Sequence, residues 1–341
     1  MTTEQTSTVL LDDEHDTALD NPQQGDDEAC NKLFQSMNVL SYGTITFSDN
    51  KSHQADFIRI SNNVSPTLIH EFLTRYWYGG RPSLVISITG GAKEYNMKPR
   101  LLRAFRHGLL KVAQTTGAWI ITGGMNTGIM KLVGEIVQIN PDRSRPIPLI
   151  GIATWGCVSG RQHLDVRGSS VYYAKPRSNI RGEAPLEPNH TKFIFIDDGT
   201  ERKYGREIAF RAQLEQAMSN PVPVVLLVVE GGPNTVRTVH EAVVENNIPA
   251  VFLEGTGRCC DLFAKAFHLY DEYRRNIESD DETSGLFTFL LRINTTVKDL
   301  VYAILKGYLN DINMHADPNI WGDTVKDLKT AGVQNEPMYI L

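Results

Sequence analysis

The sequence predicts an α/β fold: a Rossmann-like, doubly wound and mostly parallel sheet, preceded by a β-hairpin and followed by C-terminal helices. Three observations predict it. Short, wholly apolar runs recur through the middle of the chain, helical segments separate them, and glycine-rich loops follow four of them. A strand covered on both faces reads as a continuous apolar run, whereas a strand wet on one face alternates. Apolar runs that take turns with helices therefore predict parallel strands joined by crossover helices.

From the N-terminus, residues 1 to about 35 mix Thr, Asp, Gln and Glu without apolar periodicity and read as a disordered acidic tail. Tyr42–Ser48 and Ala55–Ser61 alternate apolar and polar side chains around an Asp49-Asn50 turn signal, which predicts the hairpin. Thr67–Trp77, behind Pro66, places Leu68, Ile69, Phe72, Leu73 and Tyr76 on one helical face. The apolar runs follow: Ser83–Ile88, Ala118–Ile121, Leu149–Thr154, Lys192–Ile196, Val222–Val229 and Ala250–Leu253. Helices are expected between and after them at about Pro99–Thr115, Gly128–Gln138, Glu207–Met218, Thr235–Glu245 and Asp261–Asp271. The first of these opens on proline and stops at Gly117, as capping preferences require. Further on, acidic Glu278–Ser284 reads as a linker and Leu286–Leu309 as an amphipathic helical tail. The expected division is a tail (1–35), a sheet domain (36–275) and a linker with helices (276–341).

Composition narrows the function. With 41% hydrophobic and 22% charged residues in 341, the chain is typical of a folded globular protein. Residues 1–30 hold nine Asp/Glu and no Lys/Arg, and removing those nine charges from the net −6 leaves +3 for the remainder. Such a surplus tolerates an anionic ligand. It is too small for a nucleic-acid partner, which wants a concentrated basic face. The four cysteines, Cys30, Cys157, Cys259 and Cys260, show neither CxxC nor Cys/His spacing, which predicts a reducing, cytosolic compartment and no metal. The most apolar stretch, Val222–Val229, is far shorter than the roughly 20 residues that span a bilayer, and no secretory signal opens the chain.

The glycine loops carry the chemistry. Thr89-Gly90-Gly91-Ala92 follows the first run, and Gly123-Gly124 leads to Thr127 at a helix start after the second. Gly231-Gly232-Pro233-Asn234-Thr235 follows the fifth, and Gly255-Thr256 with Arg258 the sixth. In an open α/β sheet, ligands sit outside the carboxyl ends of the strands. Glycine lets the backbone approach a phosphate, and the following helix contributes its positive end. One such loop often serves only tight turning; four on one edge point to a shared ligand. Neither GxGxxG nor GxxxxGK[ST] is present, so ordinary dehydrogenase and NTPase readings lose their main support. A diphosphate also wants guanidinium forks, and Arg211 and Arg258 are the candidates; Arg211 reads equally as a solvated helix residue. Tyr204, just before the Glu207–Met218 helix, is placed either to pack or to stack on adenine. His163, His190 and His240 look isolated, no nucleophile pairing emerges, and the sequence predicts a binding domain rather than an enzyme.

These loops lie in segments that resemble a known family. Val85–Gly134, Ile150–Gly156, Phe195–Thr200, Tyr204–Arg211, Val229–Thr235 and Leu253–Arg258 resemble, in order, the N-terminal homology region of the melastatin-type (TRPM) cation channels, over roughly residues 40 to 270. The resemblance implies a fold of the SLOG (LSDAT) type, a place on the cytosolic side of a tetrameric, calcium-permeable channel, and other channel subunits as partners. The resemblance is to the ADP-ribose-gated branch above all, where this region holds ADP-ribose, and it implies contacts matched here by Thr89, Met130, Tyr204, Arg211 and Arg258. The implied roles are Tyr204 against the adenine and both arginines on the diphosphate. ADP-ribose or a related adenine nucleotide is thus the expected ligand, with no separate cofactor. Related phosphoribohydrolases carry a PGGxGT motif; here Glu230 replaces its proline and Asn234 its last glycine, which puts hydrolysis in doubt. A nucleotide N-glycosidase and a non-binding assembly domain are the alternative readings.

Overall fold

The computed structural model describes residues 22–48, 53–93, 97–140, 142, 144–175, 180–278 and 338–340. Helix α1 (Pro22–Ser36) leads into the hairpin β1 (Ser41–Phe47) and β2 (Gln54–Ser61), which pair antiparallel from Ser41↔Arg59 to Thr46↔Gln54. Helix α2 (Pro66–Phe72) continues as a wider turn over Leu73–Trp77. Then come β3 (Val85–Gly90), α3 (Pro99–Thr116), β4 (Trp119–Thr122), α4 (Gly128–Gln138), β5 (Leu149–Thr154), β6 (Arg167–Tyr173), β7 (Lys192–Asp197) and α5 (Ile208–Met218). The chain continues through β8 (Val224–Val229), α6 (Pro233–Val239), β9 (Ala250–Phe252) and α7 (Arg258–Glu278) to β10 (Met338–Ile340).

All ten strands form one sheet in the order β10-β9-β8-β3-β4-β5-β7-β2-β1-β6. From β10 to β2 every pairing is parallel, and only the hairpin reverses direction. Strands β4 and β5 are fully buried, and β8, the most continuously apolar, is buried at four of its six positions. Side chains alternate between two cores: Ile86, Ile88 and Ile120 pack with Phe105 and Leu109 of α3 and Val133 of α4. Val85, Trp119 and Ile121 pack on the other face with Phe72, Phe210, Leu214 and Val239. Helix α3 ends where expected, on Gly117 in the left-handed conformation (φ 64°).

Chain order makes the functional edge. From β3 the chain winds outward through β4 and β5 to β7, then returns to lay β8 on the opposite side of β3. Helices α3 and α6 thus leave β3 and β8 toward opposite faces. That is the topological switch point at which open α/β sheets form a crevice.

Three expectations need correction. The acidic tail does not reach residue 35, because Pro22–Ser36 is helical; Leu33 is buried, and Phe34 meets Tyr42 and Phe72 edge-on at 5.0 and 5.3 Å. Two adjacent apolar residues in a polar segment make no visible stripe, so tertiary packing rather than periodicity defines this helix. Strand β6, parallel to β1 at the sheet edge, was not expected, because its Arg-Gly-Ser-Ser start is exposed and carries no apolar run. At the C-terminus Met338–Ile340 pairs with Ala250–Phe252 and extends the sheet where helix was expected. The expected sheet-domain boundary at 275 falls inside α7, which runs to Glu278; the rest of the expected linker to Ser284, the helix at Leu286–Leu309 and the Asp49-Asn50 turn lie outside the described residues.

Candidate functional site

Strands β9, β8, β3 and β4 are consecutive neighbours and parallel, so the loops after them emerge on one edge. This gathers Thr89–Ala92, Gly123–Thr127, Gly231–Thr235 and Gly255–Arg258 along a single rim. The loops are stitched to one another. Ile129 N–H donates to Gly91 O at 2.9 Å, and Gly128 (φ 50°) has no room for a Cβ against the Gly91 carbonyl. The Thr235 hydroxyl donates to Gly90 O at 3.2 Å and accepts Gly232 N–H at 3.2 Å, joining the β3 and β8 loops. The Thr256 hydroxyl accepts Glu230 N–H at 2.8 Å and donates to Leu253 O at 2.7 Å, joining the β8 and β9 loops. Thr235 and Thr256, expected as ligand contacts, are both buried in these stitches.

At the centre of the rim stands a pair of residues that the loop pattern alone does not single out together. Glu230 and Arg258 are non-glycine residues in the left-handed region, at φ 58° and 54°. Such backbone is uncommon for these residue types and is held only where the surroundings enforce it. Arg258 Nη1 lies 3.5 Å from Glu230 Oε1, with the two side chains 26% and 9% exposed. Glu230 Oε2 is buried without a hydrogen-bond partner among the described residues. The open space over the glycines is taken by this pair: a Cβ on Gly91 would overlap the Glu230 carboxylate, and one on Gly232 would come within 2.7 Å of Arg258 Nη2. A carboxylate therefore stands beside the Arg258 guanidinium, over the glycines of the rim.

The other expected residues fall into two groups. Tyr204, 46% exposed, lies at the rim: Asn234 Oδ1 sits 3.1 Å from the Cβ position of the adjacent Gly205, bringing the β7–α5 loop against the start of α6. Burial, then nearby Cys157, Glu183 and Glu207, pushes the Tyr204 phenol up to about 12, so it remains a neutral ring with a hydroxyl. Met130 on α4 packs its sulfur over Gly123, whose Cβ position is 2.7 Å from Sδ. Thr127 is the extended residue before α4 and makes no side-chain cap bond. Pro233 occupies the first turn of α6. Arg211, by contrast, is no solvated helix residue. It is buried beneath the rim, with Nε donating to Glu215 Oε1 at 2.8 Å and Nη2 to Ser87 Oγ at 2.6 Å and to the carbonyls of Ile88 and Ile121 at 3.1 and 3.2 Å. Its described bonds brace the ends of β3 and β4 from below.

His190 is not isolated. Its Nδ1 lies 2.7 Å from Glu187 Oε2 and its Nε2 2.7 Å from Thr122 Oγ1, and Thr122 Oγ1 accepts Gly124 N–H at 2.9 Å. Hydroxyl, imidazole and carboxylate line up as in a nucleophilic triad. Yet Thr122, His190 and Glu187 are 0–1% exposed, so no substrate meets the hydroxyl, and the array serves to hold the β4 loop. No signal in the sequence joins residues 122, 187 and 190, because only the β4–β5–β7 adjacency brings them together. Among the described residues there is no His/Cys/Asp/Glu cluster suited to a metal, and no helix is long and apolar enough to cross a membrane.

A glycine-lined switch point on a mostly parallel sheet defines a Rossmann-like α/β domain. This chain belongs to the family described as SLOG in TRPM, whose pattern matches residues 55–299. It is similar to the transient receptor potential cation channel subfamily M member-like 2 of Nematostella vectensis, 36% identical over 85% of this chain and 20% of that protein. It is 39% identical to subfamily M member 2 of Mus musculus over 71% of this chain and 17% of that protein. Subfamily M member 7 of Homo sapiens is 39% identical over 66% of this chain and 13% of its own length. The chain thus spans a fifth or less of these relatives.

Proposed function

We propose that this domain is a nucleotide sensor: it binds ADP-ribose or a related adenine nucleotide at the rim formed by the β3, β4, β8 and β9 loops, and biases the gating of a calcium-permeable cation channel without performing catalysis. The observation that carries this reading is the convergence of four glycine loops on the β3/β8 switch point with Arg258 beside them. Backbone N–H groups and the start of α6 favour phosphate there, and Arg258 supplies the charge-assisted bonds. Tyr204 offers an exposed ring for the adenine. Arg211 supports the site from beneath, keeping the β3 and β4 ends in register. Relatives named as cation channels support the assignment to a channel subunit, with the domain on the cytosolic side and other subunits of a tetramer as its partners.

Calorimetric titration of the chain with ADP-ribose, AMP and NAD, followed by analysis of the mixtures for released nucleobase, tests the reading. Saturable binding with the nucleotide recovered intact supports a sensor. Nucleobase release would make the domain a hydrolase, and absence of binding to every nucleotide would leave an assembly domain.

A further inference from the structure

Away from the glycine rim, a cavity of about 710 Å³ opens at the carboxyl ends of β5 and β7. Its volume lies within the range that small molecules occupy. It belongs to strands other than those of the glycine rim, and none of the glycine-loop residues lines it. Its described lining carries Arg59, Arg161, Lys175 and Arg202 with Asp165 and Glu183, and Asp197 and Glu201, outside that lining, also pair with these arginines.

The arrangement of partners is informative. Each of two guanidinium groups is held by one inner and one outer carboxylate. Arg59 lies over the Trp155 ring at 4.2 Å, and its Nε and Nη2 are fixed by Asp197 at 2.9 and 2.6 Å. Its Nη1 meets Asp165 at 3.0 Å. Arg161 Nη1 is held by Glu183 at 3.3 Å, a carboxylate shared with Arg202 Nε at 3.2 Å, while Arg161 Nη2 meets Glu201 at 2.6 Å. The inner carboxylates Asp197 and Glu183 are 12% and 7% exposed; the outer ones, Asp165 and Glu201, are 63% and 64% exposed. Exposed ion pairs contribute little and exchange readily, whereas inner ones fix the geometry of the forks. The outer carboxylates therefore mark two positions where an anion already docks and from which it is easily displaced.

The geometry points to a second ligand site in this cavity, taking a small molecule with at least two phosphate groups that replace the Asp165 and Glu201 carboxylates on Arg59 and Arg161. Planar guanidinium forks match paired phosphate oxygens, and a molecule reaching both arginines gains from linkage that a single anion does not. This site does not depend on the nucleotide reading of the glycine rim.

Titration of the full 341-residue chain with inorganic tripolyphosphate at low ionic strength tests it. Saturable binding is expected, tighter than that of orthophosphate. Arg161→Gln is expected to weaken it by about ten-fold or more, the loss of charge-assisted bonds. Glu201→Gln, which removes only an exposed competitor, is expected to tighten it several-fold, a gain that misfolding cannot imitate. Arg258→Ala separates any binding at the glycine rim, and in that variant the Arg161-dependent component is expected to remain. The proposal is overturned if the wild-type chain does not saturate, if orthophosphate binds as tightly, if Glu201→Gln fails to tighten binding, or if Arg258→Ala rather than Arg161→Gln abolishes it.

Discussion

Glu230→Gln is the most informative substitution at the glycine rim, because it changes charge while nearly preserving shape. The carboxylate stands 3.5 Å from Arg258 and over Gly91, where a phosphate bound to that guanidinium would meet it. Two unit charges at this separation interact by about 1 kcal/mol in bulk water and about 5 kcal/mol at the effective dielectric of a protein surface. The pair is neither open nor fully enclosed, and a phosphate must both break it and bear the like charge. Replacing the carboxylate by an amide is therefore expected to tighten ADP-ribose by about 1.4–2.8 kcal/mol, ten- to a hundred-fold. Half a molar salt should shrink the difference, since screening weakens pair and repulsion alike. Stability should change little, because the lost attraction to Arg258 is offset by the smaller cost of burying an amide, and Oε2 has no hydrogen-bond partner among the described residues. The assay is calorimetry on wild type and variant at two salt concentrations, with thermal melts as control. An unchanged or weaker affinity in a normally folded variant would refute the reasoning, and would mean that Glu230 accepts a ligand hydroxyl rather than competing with its phosphate.

Other outcomes follow from the same contacts. Arg258→Ala should weaken ADP-ribose by about 1.5–3 kcal/mol, read by calorimetry, and should also lower the melting temperature, because it takes the cation from the nearly buried Glu230 carboxylate. Arg211→Ala leaves the buried Glu215 carboxylate without its cation, with the Ser87 hydroxyl still donating to it, and should cost about 3–5 kcal/mol in denaturant unfolding, so a binding loss in that variant reports the fold first. Gly128→Ala forces a side chain onto left-handed backbone and into the Gly91 carbonyl, and should cost about 2 kcal/mol or more in the same assay. Burial pushes the Cys260 thiol up from 9.0 to about 11, so the folded state keeps a proton that the unfolded chain gives up first. Its contribution to stability is complete below pH 9 and is lost as pH rises toward 11, at up to about 1.4 kcal/mol per pH unit. Denaturant midpoints measured from pH 7 to 11 should be flat and then fall; a rise above pH 9 would contradict the assignment.

The central sheet was legible because strands covered on both faces leave a signal that survives in a single sequence. Leu149–Thr154 is wholly apolar or small and is wholly buried. Pro99 and Gly117 bracket α3 as capping preferences demand. Elements that lean on partners rather than on their own pattern were not legible. Helix α1 shows few apolar side chains and gains its place from Leu33 and Phe34 meeting α2 and β1. Strand β6 is mostly wet and is defined by backbone pairing to β1, to which side-chain pattern is blind.

Legibility of the site divides along the same line. Glycines after strands locate a rim, since only backbone geometry is being read, and the four loops do share an edge. Side-chain roles are harder, because a threonine or arginine at a rim serves a ligand or the rim itself with the same chemistry. Thr235 and Thr256 turn out to join loops, and Arg211 to brace two strand ends. What distinguishes Glu230 and Arg258 is that the protein leaves them in a costly state: both carry left-handed backbone, and one buries a carboxylate oxygen without a partner. A purely structural position would be relieved of that cost by glycine at 230 or by a hydrogen-bond donor near Oε2. Retaining an acidic residue there makes sense if its charge is set against that of a ligand, holding Arg258 until a stronger anion displaces it.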